Sequence, residues 1–579
     1  MRRIAALAAA LALAACGGTS EKAADGPADL VLRNGKIVTV DSTKPEVQAI
    51  AIRGAEIVFV GSNDEIEAYV GDATEVIDLG GRLAIPGFIE GHGHYLGLGR
   101  AKMILDLTKV KNWDEIVNMV AAAARDAKQD AWISGRGWHQ EKWDGVPADA
   151  VEGVPVHASL SAVSANNPVY LTHASGHASF ANKRALELAG IDRNTPNPAG
   201  GEIVKDAKGE PTGLLRETAQ RLVGRAMARA DSQRSAADVD AELRKQVELA
   251  AQEALSKGVT SFHDAGSSFG TIDFFKKLEA EGKLPVRLYV MVRGESNADM
   301  DAKLAQYFMP IEGNDYLTVR SIKRQIDGAL GAHGAWLLQP YIDLKSSSGL
   351  TLESPDDVEG TAKVAIKHGF QVNTHAIGDR ANREVLDIYE RTFKANPDKQ
   401  NVRWRIEHSQ HIDPADVPRF GQLGVIAAVQ GVHATSDGPW IPKRLGDDRT
   451  LKTSYPWREL IKTGAVIGNG TDVPVEDIDP IASFYSTVSR KTNTGQVFIP
   501  EQRMTREEAL RSYTLNNAYA AFEEQQKGSI TPGKLADIVI LSKDIMTIAE
   551  DEIPTARVDV TIVGGKVRYR RDSAAVANK

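Results

Sequence analysis

Apolar and polar positions alternate in short runs between residues 29 and 80. The runs are Leu30-Val31-Leu32, Ile37-Val38-Thr39-Val40, Ala49-Ile50-Ala51-Ile52 and Ile57-Val58-Phe59-Val60, with turn signals such as Asn34-Gly35 and Gly61 between or after them. Alternation with period two, broken by Gly and Asn, predicts short antiparallel strands. The same pattern returns at 536–541, 558–563 and 567–569, with Gly564-Gly565 before the last run. Two strand-rich ends around a different middle predict one small β-sandwich assembled from both termini, from 29–82 and 525–579.

The middle reads as α/β. Apolar runs at 88–92, 259–264, 286–292, 321–327, 371–375, 402–408, 425–430 and 466–472 are the length of buried strands. Helical patterns separate several of them, such as 236–257, which Gly258 stops. Eight strands in this arrangement predict a (β/α)8 barrel over 83–524, with 83–88 leading into its first strand. The stretch from about 96 to 257 is too long for one loop and predicts an insertion after strand one, covering the barrel mouth. It holds Trp132, Trp138 and Trp143, which line a pocket or form the insert's own core, and a hairpin through 202–212.

The first 15 residues fall outside this pattern. Arg2-Arg3 precede a short apolar run, Ile4 to Ala15, and Leu13-Ala14-Ala15-Cys16 resembles a bacterial lipobox. Cys16 is the only cysteine, so an internal disulfide and a cysteine-based metal site are both excluded. We expect a signal peptide over 1–15, lipidation at Cys16, a small polar tether over 16–28, and a cell-envelope lipoprotein facing the periplasm. The membrane is then met through the lipid alone, since no later segment has the length of a transmembrane helix. A 579-residue chain with 42% hydrophobic residues can bury a large core. Its net charge of −8 argues against a nucleic-acid partner. Oligomeric state is not legible, and a homodimer is compatible with the sequence.

Candidate chemistry gathers at the C-terminal ends of the expected strands. In Pro86-Gly87-Phe88-Ile89-Glu90-Gly91-His92-Gly93-His94 the two histidines are two apart, so they share one face. Gly91 and Gly93 are expected to leave room for a ligand beside the backbone. His375, His408 and Asp472 end three further strands, and Lys323 lies within another. Any one of these is more often a satisfied structural residue than a ligand. Arriving together at the mouth of one barrel, they point to a divalent metal held by nitrogen and oxygen.

The motifs PGFIEGHGH (86–94), GVTSFHDAG (258–266), KRQIDGALG (323–331), VNTHAIGDRAN (372–382), RIEHSQHI (405–412), GTDVPVED (470–477) and GSITPGKLADIVIL (528–541) run through nearly the whole chain. In this order they resemble the metal-dependent amidohydrolase superfamily, and within it the YtcJ-like branch that includes the N-substituted formamide deformylases. The resemblance implies a TIM barrel with a terminal β-sandwich, and hydrolysis of a C–N bond in a small amide, N-formyl compound or cyclic amide by metal-activated water. It implies His92, His94, Lys323, His375, His408 and Asp472 as ligands of one or two ions, zinc first, with manganese or iron also suited. Asp472 is in addition the implied proton shuttle. A lysine desolvated in a barrel mouth can exist as the free amine and add carbon dioxide, so Lys323 is expected as a metal-bridging carbamate, against a lysine paired with Asp327 or the substrate. His177 and His433 are candidate substrate contacts. His263 matches a family motif without a clear role, and Glu90 stands where the family usually has Asp. Deamination or cleavage of an N-acyl amino acid by the same site, and a binding lipoprotein that holds a metal without chemistry, are the alternatives.

Overall fold

The computed structural model describes residues 26–312 and 315–571. The expected signal peptide and Cys16 lie outside the described residues. Eight strands form the central sheet: β1 (Phe88–Gly93), β2 (Val259–Ser267), β3 (Arg287–Val292), β4 (Leu317–Gln325), β5 (Gln371–Ala376), β6 (Arg405–His408), β7 (Ile426–Gln430) and β8 (Ile467–Gly470). They pair in that order, each neighbour parallel. The sheet closes on itself, because the Asp472 amide donates to the His92 carbonyl at 2.7 Å. The Asn517 side chain also bridges the first and last strands, donating to the Ile89 and Asn469 carbonyls at 2.8 and 2.7 Å. The fold is the expected TIM barrel.

This closure corrects one expectation. The space beside Gly91 is filled by protein, since an added Cβ there would lie 2.6 Å from Asn517 Oδ1. At Gly93 it would lie 2.6 Å from the Phe262 ring. These glycines let neighbouring elements approach the strand and leave no room for a ligand.

Two sheets from both termini face each other. One runs Glu56–Gly61, Ala49–Arg53, Leu30–Arg33, Glu75–Asp78. The other runs Lys566–Arg570, Val558–Val563, Ile538–Leu541, Leu83–Pro86, Lys36–Val38, Glu46–Val47. Leu32, Ile50, Ile538 and Ile562 are among the side chains buried between them. Leu83–Pro86 belongs to this second sheet, paired antiparallel with Ile538–Leu541, and the barrel begins only at Phe88. Pro86-Gly87 marks the junction, a turn signal that reading 83–88 as one lead-in passes over.

Between β1 and β2 lies a six-stranded sheet that includes Ile133–Trp138, Val169–His173 and the antiparallel hairpin Gly201–Lys205/Pro211–Glu217. Trp113, Trp138, Leu171 and Phe180 form its core, and Trp143 packs against them. Trp132 packs on a neighbouring cluster with Ala185 and Leu215. The tryptophans expected in the insert thus serve its packing.

Candidate active site

The strand ends bring the expected residues to one place. His92 ends β1 facing inward, with Nε2 3.5 Å from Asp472 Oδ1 and 3.3 Å from Lys323 Nζ. His94 Nε2 lies 3.2 Å from the same Asp472 oxygen. Ligand atoms of His92, His94 and Asp472 all fall within 4.8 Å of one another. The His408 ring lies 4.7 Å from His92 and 4.3 Å from His375, centre to centre. All six expected ligands line one cavity of about 730 Å³, the size of a small-molecule site.

The neighbours fix which ring atom each histidine offers. Glu407 Oε2 meets His92 Nδ1, and His408 Nδ1 donates to Gln430 Oε1 at 2.8 Å. Both rings therefore keep Nε2 for the site, the arrangement typical of metal-bound histidines. His375 Nε2 is buried without a hydrogen bond, 3.5 Å from Asp327 Oδ1. A buried, unanswered ring nitrogen beside this donor set fits a divalent ion.

Burial and neighbouring charge tune the group. Burial pushes His92 down to about 4, with the Lys323 charge acting in the same direction, so its ring is neutral and free to coordinate. Burial pushes Lys323 down to about 8. It also works to raise the Asp472 carboxyl, but the hydrogen bond from His94 and the neighbouring imidazoles outweigh it and hold the group well below the usual carboxylate range. Glu407 is likewise held well below its usual range: burial would raise it, yet Arg405, 2.7 Å from its other oxygen, prevails.

The remaining candidates divide. His177 lines the cleft, its ring 5.3 Å from His375, and Nδ1 is 2.8 Å from Glu217 Oε2. Burial alone would lower His177, but the Glu217 carboxylate raises it above the ordinary histidine value. His433 opens on an adjoining recess of about 60 Å³, its ring parallel to His408. His263 does not reach the cleft. It is buried beneath it, with Nδ1 3.1 Å from Arg405 Nη1, behind the Arg405–Glu407–His92 chain. Asp327 is not paired with Lys323 among the described residues. Its carboxylate accepts the amides of Trp336, Ile377 and Gly378 at 2.8 to 3.0 Å, which ties down the loop after His375. Burial pushes it up to about 7. Glu90 turns to β8, taking the Thr471 amide at 2.5 Å and its hydroxyl at 3.1 Å, and so sets the turn that presents Asp472.

Glu407, Gln430 and Glu217 are among the site residues that sequence reasoning missed. The only signal for Glu407 was its place one residue before His408 in a strand that also carries Arg405.

A parallel barrel with a histidine and carboxylate cluster at the C-terminal ends of its strands is the frame of a metal-dependent hydrolase. The model of the amidohydrolase family matches residues 75–569, and the chain belongs to that family. It is 36% identical to the protein LONG AFTER FAR-RED 3 of Arabidopsis thaliana, over 94% of this chain and 92% of that one. It is 28% identical to the N-substituted formamide deformylase of Arthrobacter pascens, over 94% and 98%. A crystal structure of an uncharacterized metal-dependent hydrolase from Pyrococcus horikoshii superposes with a TM-score of 0.71 at 26% identity, over 90% of this chain and 99% of that one. The protein is an enzyme, a metal-dependent hydrolase that acts on C–N bonds of a small-molecule substrate. The alternative of a binding protein without chemistry falls away.

Proposed function

We propose that the protein hydrolyses the C–N bond of an amide, N-formyl compound or cyclic amide, with zinc as its ion and Asp472 as the group that moves the proton. The observation that carries this reading is the convergence of His92, His94 and Asp472 within 4.8 Å in the cleft wall. The Arthrobacter pascens relative is named as a deformylase of N-substituted formamides, which supports an N-formyl substrate. His92, His94, His375, His408 and Asp472 would hold the ion, joined by Lys323 once carboxylated. A divalent ion held there supplies Lewis acidity and lowers the pKa of water to about 7.

The chain's own groups do the rest. Asp472, kept ionised, accepts a proton from the attacking water and returns it to the leaving nitrogen, so the amine departs neutral. His177, drawn toward its charged form by Glu217, donates a hydrogen bond to the substrate oxygen as negative charge builds there. His433 closes the recess side of the cleft against the substrate. We test the reading with a mixed panel of formamides, amides and N-acyl amino acids, before and after chelation and after zinc is restored. Hydrolysis should stop with the chelator and return with zinc. Failure of the zinc-loaded protein on every panel member would sink it.

We further propose that lipidated Cys16 anchors the enzyme in the cell envelope, facing the periplasm. The charged start, the short apolar run and the lipobox-like Leu13-Ala14-Ala15-Cys16 support this. Among the described residues no helix is long and apolar enough to cross a membrane.

A further inference from the structure

The cleft is lined by four arginines. Arg100 and Arg221 are exposed, while Arg136 and Arg293 are half-buried. Arg136 comes from the insert strand Ile133–Trp138. Its Nη2 donates to the Ala174 carbonyl at 2.9 Å and its Nε to the Pro474 carbonyl at 3.3 Å. Pro474 is two residues past Asp472, so this guanidinium rests on the loop that carries the reacting carboxylate. Arg293 follows β3, and its Nη2 donates to Gln325 Oε1 at 2.6 Å. Its stem fills the place where Gly266 lacks a side chain, since an added Cβ there would lie 2.3 Å from Arg293 Cδ. The backbone has thus made room for Arg293 at the barrel mouth.

Neither inner arginine has an ion-pair partner among the described residues, and the bonds they do make go to neutral oxygens. None of the acidic groups of the same cleft pairs with either arginine among the described residues. Glu217 holds His177, Asp472 lies against His94, and Asp231 is exposed. Burial pushes the Arg136 guanidinium down to about 10, and the charge that most opposes this is Asp472. Burial also pushes Arg293 down, opposed first by Glu353, whose carboxylate lies 3.8 Å from Arg324 Nε, and then by Asp472. Two partly buried cations without an ion-pair partner cost free energy that an anionic ligand would recover. Their planar forks suit a carboxylate.

We propose that the substrate carries a carboxylate close to the scissile bond, received by Arg136 and Arg293. The enzyme then acts on N-formyl or N-acyl derivatives of an amino acid in preference to those of a simple amine. The inference rests on the hydrolase reading above and narrows it.

The test separates binding from turnover. N-methanesulfonyl derivatives resist hydrolysis, so the metal-loaded protein is titrated calorimetrically with matched pairs. These are the derivatives of glycine and methylamine, leucine and 3-methylbutylamine, and phenylalanine and phenethylamine. At least one acid should bind tenfold or more tightly than its decarboxylated partner. Arg136→Gln and Arg293→Gln should each erode that preference and the double variant should abolish it, while Arg293→Lys retains part. Thermal unfolding without ligand checks each variant, and if Arg136→Gln does not fold, Arg293→Gln alone decides. No preference in any pair overturns the inference. So does a preference that survives loss of both guanidiniums, since the metal would then be holding the anion. Hydrolysis of the matching N-formyl pairs is measured separately. Cleavage without preference defeats only this inference, and cleavage of none counts against the hydrolytic reading while the binding result still stands.

Discussion

Glu407 Oε2 lies against His92 Nδ1 inside the barrel, although 315 residues separate the two in the chain. The contact decides which nitrogen His92 turns to the cleft, and Arg405 keeps Glu407 ionised while it does so. Glu407→Gln preserves shape and loses the charge. We expect metal affinity to fall about 10- to 100-fold, measured by competition with a chelator. Activity should recover when metal is in excess. Unchanged affinity would show that His92 orients itself without help.

Asp472→Asn should lower turnover by about 10²- to 10⁴-fold, the range of positioned acid–base groups. Metal content should fall less than activity, because the histidines remain. An Asn variant with near-normal turnover on a true substrate would falsify the shuttle role.

Lys323, with Nζ 3.3 Å from His92 Nε2, is the residue proposed to carry the carbamate. Fully active protein should hold about two ions per chain, since a bridging group implies a pair. Lys323→Ala should lose one of them and most activity, and a small added carboxylate should restore part of both. Full activity with one ion and an unmodified lysine in a high-resolution map would count decisively against the carbamate.

Acid should loosen the fold through histidines outside the ligand set. His139, beside His173 and Trp440, and His411, beside Ser454, are each pushed down to about 3 by burial, with nearby cations (Lys142 for the first, Arg449 for the second) acting in the same direction. Both stay neutral in the fold but take up protons in the unfolded chain below about pH 6.5. The unfolded state then binds more protons, so stability falls as pH drops from 7 to 5, by about 1–2 kcal/mol per group. Denaturant unfolding of His411→Asn at the two pH values should show that loss reduced by the same amount. An equal loss in the variant would mean that His411 is protonated in the fold.

Cys16→Ser should release the protein from the membrane fraction or leave it unprocessed. Normal cleavage with continued membrane association would rule out the lipid anchor.

Much of the barrel was legible because its strands are buried on both faces and read as apolar runs, and because their ends carry His92, His375, His408 and Asp472. What stayed hidden is pairing across the barrel. Nothing local in Glu407 or Glu217 names His92 or His177 as its partner, since both contacts depend on closing the sheet or docking the insert. The glycines at 91 and 93 misled for a related reason. A residue without a side chain signals a close approach, but not whether protein or ligand makes it. Asp327 looked like a partner for Lys323, four residues away, yet two backbone amides of the loop after His375 and the amide of Trp336 satisfy its carboxylate better.

The pairing of Val539 with Ile85, in the strand that runs straight into β1, has a consequence for assembly. Until residues beyond 538 have been synthesised, Leu83–Pro86 has only Lys36–Val38 beside it and presents a bare apolar edge. The segment that launches the catalytic barrel therefore waits on a partner made some 450 residues later, a contact of extreme sequence separation that slows folding. A chain lacking those residues would leave that edge open to proteases and to other strands, so the start of the barrel and the last strands of the second sheet stand or fall together.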